Sequence, residues 1–173
     1  MKVLLVIDLL NGFCRKGYPL SLPESTAAIE KYAASRIKQI HDEGGRVIFI
    51  GDSHSLTDPE IGHPYKPHCL EGTAEAEIVD TLKPLAEKSI VLKKNTLSIF
   101  LNTGLDKLLK KFKPTEVEVI GVCTDLSDLF ALFELKIRGY NVFISGEGVL
   151  SLEPGKQVED LDYFKNRLGA RTK

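Results

Sequence analysis

The stretch VEVIGVCTDLSDLFALFELKIR, Val117 to Arg138, contains a complete strand, turn and helix. Val117 to Ile120 is a short run of β-branched character, the kind of segment that fills a strand buried on both faces. The periodicity then changes. Leu126, Leu129, Phe130, Phe133 and Ile137 recur at helical spacing and are expected to face the core, with Thr124 as N-cap and Gly139 as the stop. Working outward, Lys2 to Ile7, Arg46 to Ile50, Ser89 to Leu92 and Asn141 to Ser145 read as further strands. Helical patterns lie between and after them at Ser25 to Glu43, Thr73 to Leu85, Gly104 to Phe112 and Glu159 to Leu168. Strand and helix alternate, which predicts an α/β fold of three αβα layers around a mostly parallel, Rossmann-like sheet.

A chain of 173 residues can bury one sizeable core, so a single domain spanning 1–173 is expected. The formal net charge is −1 and the basic residues are scattered among acidic ones, which argues against a nucleic-acid partner. The apolar runs are too short for a membrane span and the N-terminus leads straight into a strand, so a cytoplasmic protein is expected. Cys14, Cys69 and Cys123 are odd in number and widely spaced, consistent with reduced thiols rather than a disulfide framework or a structural zinc site.

Open parallel sheets bind ligands beyond the carboxyl ends of their strands. The strand endings here are Asp8, then Gly51-Asp52-Ser53-His54, then Lys93-Lys94, then Gly121 to Ser127. Asp8 reads either as a turn or capping aspartate or as a buried carboxylate with a perturbed pKa. Lys94 taken alone is a surface lysine. Asp52 and His54, two apart on an extended segment, point the same way and can share one cation. The following loop offers Glu60, His63 and His68, so a mixed carboxylate and imidazole set for Zn²⁺, Fe²⁺ or Mn²⁺ can be assembled, against the alternative of solvated loop side chains.

VIDLLNGF (Val6 to Phe13), GDSH (Gly51 to His54), PHCLEGT (Pro67 to Thr73), KNTLSIF (Lys94 to Phe100) and GVCTDLSD (Gly121 to Asp128) occur in the order seen in nicotinamidases. With these blocks the chain resembles the nicotinamidase and pyrazinamidase branch of the isochorismatase-like cysteine hydrolases. The resemblance implies the isochorismatase-like hydrolase fold and release of ammonia from nicotinamide or a similar small carboxamide, a step in NAD metabolism. It places a catalytic triad at Asp8, Lys94 and Ser127, and an oxyanion hole at the N–H groups of Cys123 and Ser127 after a cis peptide at Val122–Cys123. It implies a divalent metal ion, zinc first with iron or manganese as alternatives, held by Asp52, His54, His68 and Glu60, with His63 as rival for the fourth place. Phe13 and Tyr65 match the aromatic residues that sandwich the substrate ring, while a third ring is replaced by Leu97. The resemblance leaves room for a homo-oligomer.

This chain departs from the family pattern at the nucleophile. Ser127-Asp128 stands where Cys-Val is expected. A hydroxyl needs a well-placed general base where a thiol ionises readily. Three readings follow: a serine-dependent hydrolase, a cysteine enzyme carrying a substitution, and a weakly active or inactive metal- or ligand-binding homologue. An isochorismatase-like hydrolase of a vinyl ether is a further alternative. Cys123 lies four residues before Ser127, at a place where some family members also carry cysteine, so it is not a displaced nucleophile by default.

Overall fold

The computed structural model describes all of residues 1–173 except Pro23, Pro154 and Lys173. Its strands are β1 (Lys2–Ile7), β2 (Arg46–Asp52), β3 (Ile90–Lys94), β4 (Glu116–Val122), β5 (Val142–Leu150) and β6 (Arg171–Thr172). They form one all-parallel sheet in the order β3-β2-β1-β4-β5-β6. The helices are α1 (Asn11–Cys14), α2 (Ala27–Asp42), α3 (Lys83–Ala86), α4 (Leu105–Phe112), α5 (Leu129–Ile137) and α6 (Gln157–Leu168). Winding proceeds from β1 to one edge and resumes at β4 on its other side, so the sheet has its switch point between β1 and β4.

Alternation along β1 builds both interfaces. Leu4 and Val6 face Ile29, Ala33, Ile37 and Ile40 of α2. Val3, Leu5 and Ile7 face Leu105 and Leu109 of α4, Leu132 and Leu135 of α5 and Phe164 of α6. Burial of each such side chain contributes about 2 kcal/mol. Away from the strand ends, Glu118 of β4 brings a charge into the sheet; it is fully buried and accepts hydrogen bonds from Arg36 of α2 at 2.6–2.9 Å. No helix among the described residues is long and apolar enough to cross a membrane.

Three sequence expectations are corrected. The helix expected over Thr73 to Leu85 does not form; a short 3₁₀ turn at Ala74–Ala76 and α3 stand in its place. Ile78 and Val79 turn extended because their segment finds backbone partners across the chain: the Asn11 N–H donates to the Glu77 carbonyl (2.9 Å) and the Val79 N–H to the Leu9 carbonyl (3.1 Å). Such pairing satisfies backbone groups as well as a helix would, and β-branched residues favour it. The second correction concerns the face of α5. Ala131, Leu132 and Leu135 are buried, whereas Phe130, Phe133 and Ile137 are exposed. Thr124–Asp128 forms a π-helical turn, and its extra residue rotates everything downstream by about 100° relative to a continuous α-helix. The expected N-cap role of Thr124 is also corrected: Thr124 is the first residue of that turn, whose N-cap is Cys123, and its hydroxyl has no hydrogen-bond partner among the described residues.

Candidate active site and metal centre

The carboxyl ends of β1, β2, β3 and β4 bring Asp8, Asp52, Lys94 and Cys123 to one edge of the sheet. Register accounts for this: Ile7 lies beside Ile50 and Gly121, and Asp52 lies beside Lys94. Asp8 has a positive φ of 55°, an uncommon state for an aspartate and one that marks strained, functional backbone. Its Oδ1 accepts the Asp52 N–H at 3.0 Å.

Lys94 is the centre of charge. Its side chain is fully buried, its Nζ lies 2.9 Å from Asp8 Oδ2, and it donates to Asp52 Oδ1. Burial works against its charge, but Asp52 and Asp8 outweigh burial and hold the ammonium well above the usual lysine range. Asp52 responds in the opposite sense. Burial opposes its charge, yet Lys94, His54 and His68 keep its carboxyl well below the ordinary value. Burial and the neighbouring Asp52 raise Asp8 to about 6, against the pull of Lys94 and of the Ser127 hydroxyl beside it. A carboxyl poised there can take and return a proton near neutrality.

His54 and His68 converge on Asp52. Their Nε2 atoms lie 3.5 and 3.6 Å from Asp52 Oδ2, and ligand atoms from the three residues sit within 4.8 Å of one another. All three are buried, and neither ring nitrogen of His54 has a hydrogen-bond partner among the described residues. Behind the rings, His68 Nδ1 meets the Lys66 carbonyl at 2.8 Å and His54 Nδ1 faces Asp58 Oδ2 at 3.4 Å. Such outer partners fix the tautomer that presents Nε2 to a metal. With two carboxylates against one ammonium, the cluster retains negative charge, so the donor set fits a divalent cation. Glu60 stands apart from the three donors. Its Oε1 accepts the Leu97 N–H at 2.8 Å while its side chain lines the adjoining cavity. His63 is exposed.

That cavity, about 50 Å³, is bounded by Phe13, Tyr65, His68, Leu97, Cys123 and Ser127 among others. A roomier hollow of about 500 Å³ lies between β2–β3 and the Thr73–Ala86 segment, but of the clustered groups it touches only Asp52. Chemistry requires convergent groups before space, so the smaller cavity is the candidate site. Ser127 lies in the π-helical turn that follows β4 and is almost wholly buried; the Val122–Cys123 peptide is cis. Burial and then Asp8 push the Cys123 thiol well above its ordinary range, and burial lifts Cys14 to about 12 and raises Cys69 as well. None of the three cysteines is a ready thiolate.

Asp58 escaped the sequence reading, and so did the burial of Asp128. Asp58 stands four residues after His54, and its own placement depends on bonds from the Ser55 N–H (2.8 Å) and Asn95 Nδ2 (3.0 Å). The spacing was visible, but its partner across the loop was not. Asp128 is wholly buried next to Ser127, where only its position in the turn would have signalled it.

Comparison with known proteins finds relatives that span the chain. The chain is 28% identical over 172 residues to Nicotinamidase 1 of Arabidopsis thaliana, covering 91% of this chain and 70% of that protein. It superposes on the crystal structure of nicotinamidase PncA from Bacillus subtilis with a TM-score of 0.91 and 30% identity, over 99% of this chain and 98% of the other. The pyrazinamidase of Pyrococcus horikoshii, crystallised in complex with zinc, shares the fold at a TM-score of 0.84 and 24% identity, over 99% and 98% of the two chains. The family model of the isochorismatase domain matches residues 2–172, and the chain belongs to that family.

Proposed function

We propose that this chain is an amidohydrolase that cleaves the C–N bond of nicotinamide or a similar small aromatic carboxamide, releasing ammonia and the acid. The observation that carries this reading is the buried Lys94–Asp8 pair with the Ser127 hydroxyl beside it, at a cavity flanked by Phe13, Tyr65 and the Asp52-His54-His68 donors. Phe13 and Tyr65 take the substrate ring between them and set the carboxamide against Ser127. Asp8 accepts the Ser127 proton as the oxygen attacks the carboxamide carbon. The N–H groups of Cys123 and Ser127 receive the oxyanion. Asp8 then returns the proton to the leaving nitrogen, ammonia departs, and an ester on Ser127 remains. Water, losing its proton to Asp8, hydrolyses that ester and restores the hydroxyl. Lys94 keeps Asp8 and Asp52 oriented and offsets their charge throughout.

Asp52, His54 and His68 would hold a divalent cation, zinc before iron or manganese; Glu60, which faces the same cavity from outside this trio, is the candidate for the fourth position. When bound, that cation supplies a Lewis-acid anchor for the ring nitrogen of the substrate. The chain's net charge of −1 and scattered basic residues support a free small molecule, rather than nucleic acid or a membrane, as its partner in the cytoplasm. The exposed stripe of Phe130, Phe133 and Ile137 supports assembly as a homo-oligomer.

The test is ammonia release from nicotinamide by the chain and by Ser127→Cys. A slow reaction that rises in the cysteine variant supports the proposal. Absence of turnover from both, with the fold intact, would favour a ligand-binding homologue without catalysis.

A further inference from the structure

Asp128 is a titratable side chain beside the nucleophile position for which the proposed mechanism has no use, and its surroundings are unusual. It is wholly buried, and neither carboxylate oxygen has a hydrogen-bond partner among the described residues. A buried ionised carboxylate without a partner is too costly to persist. The group sits against the sheet at its switch point. A Cβ on Gly121 would meet Asp128 Oδ1 and the Ile7 carbonyl oxygen each at 2.6 Å, so only glycine lets the carboxyl settle onto the strand pair there. Ile7 is the residue that precedes Asp8, and Asp128 follows Ser127. Asp128 Oδ1 and the Ile7 carbonyl oxygen thus border the same point beside Gly121, and two such acceptors can bond to each other only if one carries a proton. A carboxylic acid donates where a carboxylate only accepts.

We propose that Asp128 is a positioning residue that donates a hydrogen bond from its protonated carboxyl group to the Ile7 carbonyl, tying the turn that presents Ser127 to the strand end that presents Asp8. This deepens the hydrolase reading and rests on it for the functional consequence, though not for the bond itself. The groups that face Asp128 favour its neutral form. Burial raises it well above the ordinary carboxyl range, Asp8 at the end of β1 and Asp125 on the same turn add to that, and Lys94 at the end of β3 opposes it more weakly. Neutral, Asp128 adds no charge behind the oxyanion that forms at Ser127. Ionised at high pH, it would oppose that oxyanion and release the turn. Asparagine can replace the donor, because its amide N–H reaches the same carbonyl. Valine, of similar size, cannot.

Three measurements test this on the full chain. The infrared difference between the chain and Asp128→Asn at pH 8 should contain the carbonyl stretch of a protonated carboxyl group. A difference confined to carboxylate bands would overturn the proposal. Secondly, a carboxyl protonated in the folded state and ionised in the unfolded state lowers stability as pH rises above the ordinary aspartate value, about 4. The chain should therefore lose stability between pH 5 and pH 9 relative to Asp128→Asn, and parallel curves would count against the proposal. Thirdly, nicotinamide hydrolysis is followed in the Ser127→Cys background. Asp128→Asn should keep kcat within about twofold and lose the alkaline decline, whereas Asp128→Val should lower kcat about tenfold at unchanged KM, the scale of one buried hydrogen bond. Equal behaviour of the asparagine and valine variants would overturn the positioning role. If no variant hydrolyses nicotinamide, the amidohydrolase reading fails, while the infrared and stability measurements still decide the charge state of Asp128.

Discussion

Lys94 Nζ stands 2.9 Å from Asp8 Oδ2 with both side chains withdrawn from solvent, although β3 and β1 are separated in the sheet by β2. Asp52, at the end of the intervening strand, completes the bridge. A buried ammonium held by two carboxylates is a poor source of net stability, but removing it strands two charges in the interior. Lys94→Ala should therefore destabilise the fold by about 3–5 kcal/mol. Denaturant unfolding of the metal-free chain measures this, and a loss below about 1 kcal/mol would contradict the burial of the pair.

His54 is expected to be indispensable for metal retention, since it supplies one of three buried donors. Added zinc should raise the melting temperature of the chain by preferential binding to the folded state, and His54→Ala should remove that shift. Asp58→Asn, which alters only the group behind the ring, should weaken zinc binding about 10- to 100-fold. Calorimetric titration with zinc checks both variants.

The nucleophile assignment predicts opposite sensitivities at two neighbouring sites. Ser127→Ala should abolish ammonia release, while Cys123→Ala should leave most of it, because burial and the carboxyl groups around Cys123 keep its thiol protonated. Inactivation by Cys123→Ala with survival of Ser127→Ala would move the nucleophile to Cys123.

Glu30 of α2 provides a pH test away from the site. Its carboxylate accepts both Arg15 guanidinium nitrogens at 2.6 and 3.0 Å, and also the Thr26 and Thr81 hydroxyls. Burial alone would raise its pKa, but Arg15, Thr81 and Thr26 together lower it below the ordinary value. A carboxyl depressed in the folded state stabilises above its unfolded pKa of about 4.3 and loses that contribution as pH falls through the folded value. Glu30→Gln should cost about 2 kcal/mol at pH 7, and the gap to the unmodified chain should shrink as the pH drops below about 4. A gap that is constant from pH 7 to pH 3 would refute the linkage.

The Phe130, Phe133 and Ile137 stripe predicts self-association. Phe133→Glu should shift the sedimentation profile toward the monomer without loss of helix content. A chain that is already monomeric at high concentration would remove the homo-oligomer reading.

Local sequence determined most of the architecture. Apolar runs of strand length, helical periodicity between them and Gly139 at the end of α5 are properties of neighbouring residues, so β1 to β5 and the long helices were legible. The same runs placed Asp8, Asp52 and Lys94 at strand ends, and the D-x-H spacing put Asp52 and His54 on one side of the chain. Tertiary structure decided what depends on distant partners. Ile78 and Val79 left the expected helix because Leu9 and Asn11 offered backbone groups. The π-helical turn at Thr124–Asp128 rotated α5, and so Phe130, Phe133 and Ile137 point outward in spite of their periodicity. Asp58 and Asp128 gained their importance from what they face across the fold. Periodicity records which residues can share a surface; the phase of that surface, and the charge state of a group buried in it, depend on contacts between segments far apart in the chain.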